Sequence, residues 1–173
     1  MSLFVREIKT PIGILTMIAK GNKLIRLDFG AWENNEQKIM DWCKRFQLPT
    51  VFEQSTRPFE LIEKQLQDYF LGNNYAFDVD YELYGTSFQI KVWNKLSEFV
   101  KHGETRSYLD LATAINNPKA VRAIGGAVNK NPISIIIPCH RIIGKNRQLI
   151  GFGGGLDKKI YLLELENNRD YVI

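Results

Sequence analysis

Ser107-Tyr108-Leu109-Asp110-Leu111-Ala112-Thr113-Ala114-Ile115-Asn116-Asn117-Pro118-Lys119-Ala120-Val121-Arg122-Ala123-Ile124-Gly125-Gly126 reads as two short helices joined by a three-residue turn. Ser107 is the cap of the first, with Asp110 three residues on in a capping-box arrangement. The helix is expected over 108–115. Asn116-Asn117-Pro118 is the turn, with Asn117 as cap and Pro118 at the first position of a second helix that runs to about Asn129. That helix carries Lys119, Arg122 and Lys130. The pair is a helix-turn-helix candidate, although short-turn helix pairs also occur in ordinary all-α cores. Gly125-Gly126 weighs toward the first reading. Each glycine inside a helix costs about 1 kcal/mol relative to alanine, which suggests a backbone that something large approaches closely.

Upstream, Ser87 is expected to cap a helix to about Lys101, with Phe88, Val92, Leu96 and Phe99 on one apolar stripe. Before it, Thr10 to Ala19 reads as a strand, Gly21-Asn22 as a tight turn and Leu24 to Phe29 as the partner strand with alternating faces. Residues 36–46 and 59–70 have helical apolar spacing, the second ending at the turn signal Gly72-Asn73-Asn74. Tyr75 to Leu83 alternates as a strand. Gly85-Thr86 marks a boundary, giving a small α/β domain over 1–84 and a mainly α-helical domain with the helix-turn-helix over 85–173. The first domain holds no convergent set of titratable residues and reads as structural. No internal repeat or low-complexity segment is present.

Charge changes sign at the same boundary. Residues 1–85 carry ten Lys/Arg against twelve Asp/Glu, and residues 86–173 carry thirteen against seven. Between Thr105 and Arg147, Arg106, Lys119, Arg122, Lys130, Arg141, Lys145 and Arg147 face Asp110 alone. This points to nucleic acid or another polyanion, while the plainer reading is a solvated face. No apolar run approaches a membrane span, and the N-terminus lacks the shape of a signal peptide, so a cytoplasmic, membrane-free protein is expected. Two cysteines and two histidines match no zinc pattern, and a disulfide framework is not expected.

Downstream lies Ile135-Ile136-Ile137-Pro138-Cys139-His140-Arg141, where one of the two cysteines stands between a proline, an imidazole and a guanidinium. Nearby cations or an adjacent base raise the thiolate fraction of a cysteine, which makes Cys139 a candidate nucleophile. A small buried hydrophobe is the alternative, and Cys43 reads that way. His140 is adjacent in sequence and so reaches the sulfur through a turn or a bridging water. The acidic residues downstream are Asp157, Glu164, Glu166 and Asp170. On the helix expected over 157–166, Glu164 and Glu166 lie on different faces, so only one turns inward to orient the imidazole. Cys, His and Glu would suit a cysteine hydrolase, but no oxyanion hole is legible. A DNA-binding regulator without chemistry is the other alternative.

These residues together resemble the O6-alkylguanine-DNA alkyltransferases, the methylated-DNA–protein-cysteine methyltransferases, over nearly the whole chain. Pro138-Cys139-His140-Arg141 is similar to the family's active-site motif. Gly85-Thr86, Phe88-Gln89, Val92-Trp93, Thr105, Ser107-Tyr108 and Leu111-Ala112 are similar to its lead-in. Arg122-Ala123-Ile124-Gly125, Asn131-Pro132, Gly154-Gly155, Lys159, Leu162-Leu163 and Glu166 follow in the family's order. Thr10-Pro11-Ile12-Gly13 and Tyr69-Phe70-Leu71-Gly72 resemble the first domain of the short bacterial type. Phe152 stands where the family often has tyrosine, Arg147 where a glycine is expected after Asn146, and Gly153 where some relatives carry serine.

The resemblance implies that Cys139 accepts the alkyl group of O6-alkylguanine once, as a monomer and without a cofactor. His140 would act as base through a water, oriented by Glu166, and Tyr108 would serve the leaving guanine. Asn131 would join the recognition helix to the active-site turn. Arg122 would fill the gap left by the flipped nucleotide or contact a phosphate. Ser107, Lys119, Lys130 and Arg141 would contact double-stranded DNA beside the small residues Ala123 and Gly126, in the minor groove. Phe152, Gly153 and Lys159 would line the base pocket. Tyr108 also reads as a surface aromatic, and Glu166 as the partner of a lysine.

Overall fold

The computed structural model describes residues 1–73 and 76–173. The chain divides into two compact units, residues 1–84 with Pro132–Ser134, and residues 85–131 with 135–173.

In the first unit, β1 (Leu3–Thr10), β2 (Gly13–Lys20), β3 (Lys23–Phe29) and β4 (Phe52–Gln54) form one sheet in the order β3-β2-β1-β4. β1 pairs antiparallel with β2 and parallel with β4. β3 lies at an edge, where exposed N–H and C=O groups would recruit other strands. Two short segments cover it. Leu27 donates to the Pro132 carbonyl at 2.9 Å and accepts from Ser134, and Leu24 donates to Asp80 and accepts from Glu82, each at 3.0 Å. Helix α1 (Trp32–Arg45) packs Ile39 and Cys43 onto Leu3, Val5, Ile18 and Ile25. It also covers the face of β3 that alternation left polar. Arg26 and Asp28 are buried as a two-bond ion pair at 2.8 and 2.7 Å, with Arg26 over the Trp42 ring and Lys38 closing on Asp28 at 2.8 Å. Helix α2 (Glu60–Phe70) follows a 3-10 turn over Arg57–Phe59.

The sequence reading needs correction at several places here. Thr10 ends a separate strand, β1, and turns through Pro11-Ile12 into β2. α1 begins at Trp32, four residues before the expected start. The strand expected over 75–83 does not form across its described residues. Only Tyr81 makes a bridge, to Leu24. Asn74 of the turn signal and Tyr75 at the strand's start lie outside the described residues.

The second unit is mainly helical. Thr86, rather than Ser87, caps α3 (Ser87–Phe99), in a reciprocal capping box with Gln89. A Cβ at Gly85 would lie 2.6 Å from the Trp93 ring, so only glycine lets the chain enter this helix. β5 (Arg106–Ser107) pairs parallel with β6 (Ile142–Ile143). α4 (Tyr108–Ala114) has the Ser107–Asp110 capping box that the spacing predicts. Asn117 makes no side-chain cap. Pro118–Ala120 form a 3-10 turn, and α5 (Val121–Asn129) begins after it. α6 (Leu156–Leu165) ends at Glu166. Among the described residues no helix is long and apolar enough to cross a membrane.

Candidate active site

Three features bring the Cys139 turn into position. Trp93 of α3, fully buried, donates its indole N–H to the Ala127 carbonyl of α5 at 2.8 Å, which fixes the second helix of the pair. Just past α5, the Asn131 amide donates to the Ile137 carbonyl at 2.8 Å and spans the segment between. Within that segment Ile135 has φ +72, a left-handed conformation that costs a β-branched residue about 1–3 kcal/mol and persists only where the surroundings impose it. Pro138, at φ −83 and ψ 62, makes an inverse γ-turn closed by the Cys139 N–H on Ile137 at 2.8 Å. Cys139–Arg141 then form a single 3-10 turn.

A 3-10 turn spreads three successive side chains around its axis, which is how adjacent residues take different partners here. Cys139 is 6 % exposed. The Asn131 amide, the Lys159 ammonium and the backbone N–H groups of Cys139 and His140 act on its sulfur. Burial nevertheless outweighs them and pushes the thiol above its ordinary range. The sulfur rests protonated, and its proton has to be taken when it reacts.

The His140 imidazole is buried, and its Nε2 meets Glu166 Oε1 at 2.7 Å. Glu166 is 2 % exposed, and Arg141 grips it through Nε to Oε2 and Nη2 to Oε1, each at 2.9 Å. Burial alone would push the Glu166 carboxyl up, but the His140 and Arg141 groups bonded to it hold it well below the carboxylate range. An ionised carboxylate only accepts, so Nε2 carries the proton and Nδ1 keeps its lone pair. No protein group among the described residues bonds Nδ1. Burial pushes His140 below its ordinary value despite Glu166, so the ring is neutral near pH 7. A neutral ring with a free lone pair is a competent proton acceptor.

Of the two glutamates at the C-terminal end of α6, Glu166 is the one turned inward, while Glu164 is exposed and accepts from the Tyr171 hydroxyl at 3.0 Å. Arg141 departs from the reading that placed it on DNA. It is 7 % exposed, and besides Glu166 it donates to the Val100 carbonyl at 3.0 Å, so its charge serves the interior. Nothing in its sequence position separated it from the exposed arginines around it. Tyr108 is half-buried at the start of α4, and burial together with the Cys139 charge pushes its hydroxyl up. Lys159 is buried and its ammonium lies 6.0 Å from the Phe152 ring centroid. Gly153 is exposed and has open space where a side chain would start. Lys119, Arg122, Ala123, Gly126 and Lys130 are all exposed, on or beside α5, and Ser107 is half-buried with its hydroxyl engaged by the Asp110 N–H. Cys43 sits in the core of the first unit, its thiol pushed up to about 11 by burial. Among the described residues no cluster of three or more His, Cys, Asp or Glu side chains would hold a metal ion.

Residues 87–168 match the family model described as "6-O-methylguanine DNA methyltransferase, DNA binding domain". The methylated-DNA–protein-cysteine methyltransferase of Methanosarcina mazei is 46% identical over 166 residues, covering 96% of this chain and 98% of the relative. That of Haemophilus influenzae is 42% identical over 168 residues, covering 95% and 87%. Among solved structures, Mycobacterium tuberculosis OGT in complex with DNA is similar with a TM-score of 0.80 and 38% identity, over 95% of this chain and 93% of that one. With relatives this similar over nearly the whole length of both chains, the protein belongs to the methylated-DNA–protein-cysteine methyltransferase family.

Proposed function

We propose that this chain repairs DNA by drawing O6-alkylguanine out of the duplex and moving its alkyl group irreversibly onto Cys139. The observation that carries the reading is the chain Cys139, His140, Glu166, Arg141, a buried thiol beside a neutral imidazole whose basic nitrogen has no protein partner. It stands in the same unit as a helix that exposes Arg122, Ala123 and Gly126, with Lys119 before it and Lys130 after it.

The roles follow from chemistry. His140 Nδ1 takes the thiol proton through a water, and Glu166 keeps the opposite nitrogen protonated and the ring oriented. The sulfur attacks the alkyl carbon, an S–C bond forms and the C–O6 bond breaks, leaving the guanine with the electron pair. The proton held at His140 returns to the guanine, with Tyr108 placed to assist, so charge and atoms balance without a cofactor. The product is a thioether, which water does not cleave, and each molecule acts once. Asn131 holds the turn to the helix.

A thiol cannot reach the O6 substituent of a stacked base, which is why the nucleotide has to leave the duplex. α4, the 3-10 turn and α5 serve as a helix-turn-helix. Ala123 and Gly126 let the backbone of α5 approach, and Lys119 and Lys130 meet phosphates with Ser107 near the start of α4. Arg122 fills the gap in the stack. Phe152, Gly153 and Lys159 border the base pocket. The protein works as a monomer in the cytoplasm, without a membrane partner. A DNA-binding regulator would have no use for the proton-accepting chain, and a cysteine hydrolase would turn over.

Intact mass after incubation with an oligonucleotide containing O6-methylguanine tests this. One addition of about 14 Da per molecule is expected, on the Cys139 peptide, and none in Cys139→Ser. Label on Cys43, or more than one turnover per molecule, would refute it.

A further inference from the structure

Lys159 is 1 % exposed, and lysine is almost never found at that depth without an ionic partner, because an isolated charge in a low-dielectric interior is very costly. Among the described residues no carboxylate pairs with its ammonium. Instead Nζ donates to the Ile142 carbonyl at 2.5 Å and to the Ile150 carbonyl at 3.3 Å, with the Phe152 ring nearby. Ile142 in turn gives its N–H to the Cys139 carbonyl. The ammonium is thus tied to the residue that closes the Cys139–Arg141 turn on one side, and to the loop before α6 on the other.

The charges around it leave one candidate partner. Glu166 is already gripped by Arg141 and His140. The titratable groups that interact with Lys159 are Cys139 and His140 of the turn, and Tyr108 of α4 interacts with the same sulfur. Burial pushes the Lys159 amine down to about 8, and the Cys139 charge pushes it back up. The same coupling acts in reverse on the thiol.

We propose that Lys159 is the resident counter-cation of the alkyl-accepting sulfur, fixed by the Ile142 and Ile150 carbonyls so that its charge stabilises the thiolate at the moment of attack. The inference rests on Cys139 being the acceptor. It gives Lys159 an electrostatic part in the reaction beyond lining the base pocket. It also explains why a lysine stands at this depth without a carboxylate, since a permanent anion there would compete with the sulfur for the same charge.

The test is the pH dependence of Cys139 alkylation by iodoacetamide, followed by peptide mass on the full chain in wild type, Lys159→Met and Lys159→Arg. The methionine variant should shift the profile upward by about one pH unit or more, which makes Cys139 roughly tenfold less reactive at pH 7. The arginine variant, which keeps the charge, should recover most of the shift. Cys43, buried in the first unit, reports folding there, and a urea midpoint read by a probe in the second unit reports folding around Cys139. If either reports unfolding in Lys159→Met, then Lys159→Gln, which retains donors for the carbonyls but no charge, takes its place in the same comparison. A folded neutral variant whose profile superimposes on wild type overturns the proposal, as does a shift that arginine leaves uncorrected, since lost packing would then be the cause. Methyl transfer from the oligonucleotide is measured on the same samples. Absence of transfer in wild type would overturn the repair function, whereas transfer together with an unshifted profile would overturn the role of Lys159 alone.

Discussion

Glu166 Oε1 accepts from two buried bases at once, His140 Nε2 at 2.7 Å and Arg141 Nη2 at 2.9 Å. The arginine cannot deprotonate, so it keeps the carboxylate ionised while the imidazole stays neutral. Removing one partner of such a buried pair strands the other charge. Arg141→Met should therefore cost about 3–5 kcal/mol, measured by urea unfolding with a probe in the second unit. The double variant Arg141→Met/Glu166→Leu should regain much of that stability, because an apolar pair of similar volume needs no compensation. It should not regain methyl transfer, since nothing then fixes the His140 tautomer. Equal instability of single and double variants would show that the pair matters for packing and not for charge.

The same cluster sets an acid limit. His140 is held below its ordinary value in the folded protein, so between that lowered value and about 6.5 the unfolded chain binds more protons and stability falls as pH falls. Glu166, also lowered, adds a second loss once pH drops below about 4.3 and toward its folded value. The urea midpoint of the second unit should thus decline from pH 7.5 to pH 5.5 in wild type and decline less in His140→Phe, which has no proton to take up. A parallel decline in both would place the titrating group elsewhere.

Much of this site could be seen in the sequence, and the parts that could not share a cause. Capping is local, so the Ser107–Asp110 box and the start of α4 could be read from four residues. Long-range pairing is not local. β1 meets β2 across a short turn, but its parallel pairing with β4 depends on residues some fifty positions away. Arg26 and Asp28 alternate as a solvent face would, yet each neutralises the other under α1. Arg141 is the functional counterpart of that error, and the depth of Lys159 could not be read from its sequence position either. Charge predicts the surface unless a buried partner exists, and those partners, Glu166 and the Ile142 and Ile150 carbonyls, become neighbours only on folding. Arg147 shows the reverse. It stands at φ +63, after Asn146 at φ +60, in the left-handed conformation that glycine adopts at no steric cost and an arginine does not.

Gly126 offers a separation of stability from function. A Cβ there meets nothing within 4 Å, so no protein contact requires glycine. Gly126→Ala should stabilise α5 by up to about 1 kcal/mol, raising the melting temperature by roughly 2–4 °C in a protein of this size. If the helix backbone lies against DNA, the added methyl should slow transfer from duplex oligonucleotide and leave transfer from free O6-methylguanine base unchanged. Faster or equal transfer from duplex would show that this face of α5 is not the one DNA approaches.

Arg122 and its basic neighbours are expected to fail differently. Arg122→Ala should slow transfer on duplex far more than on the free base, since only the duplex has to be unstacked, at a cost of a few kcal/mol. Lys119→Ala and Lys130→Ala should weaken binding evenly across sequences, each lowering the salt slope by about one phosphate contact. Equal losses on duplex and free base for Arg122→Ala would assign it to the phosphates as well.

The last expectation concerns what the reaction leaves behind. Cys139 is 6 % exposed, and its backbone is pinned by the γ-turn on Ile137, whose carbonyl also takes the Asn131 amide. A methyl added to the sulfur enters a close-packed interior, and overpacking of this kind costs about 1–3 kcal/mol. It also removes the charge that the sulfur can carry, so electrostatics cannot compensate. The element most able to yield is the stretch from Ile135 to Cys139, already strained at Ile135, because moving it lengthens the Asn131 side-chain bond before it disturbs a helix. Methylated protein should therefore melt several degrees below the unreacted form, at roughly 2–4 °C per kcal/mol. Amide exchange should rise first between Asn131 and Cys139 and at the end of α5. Methylated Asn131→Ala, which lacks the tether, should show a smaller drop on methylation because part of the strain is already released. A methylated wild type that melts at or above the unreacted temperature would mean that the sulfur has spare volume around it, and reaction would then not loosen α5.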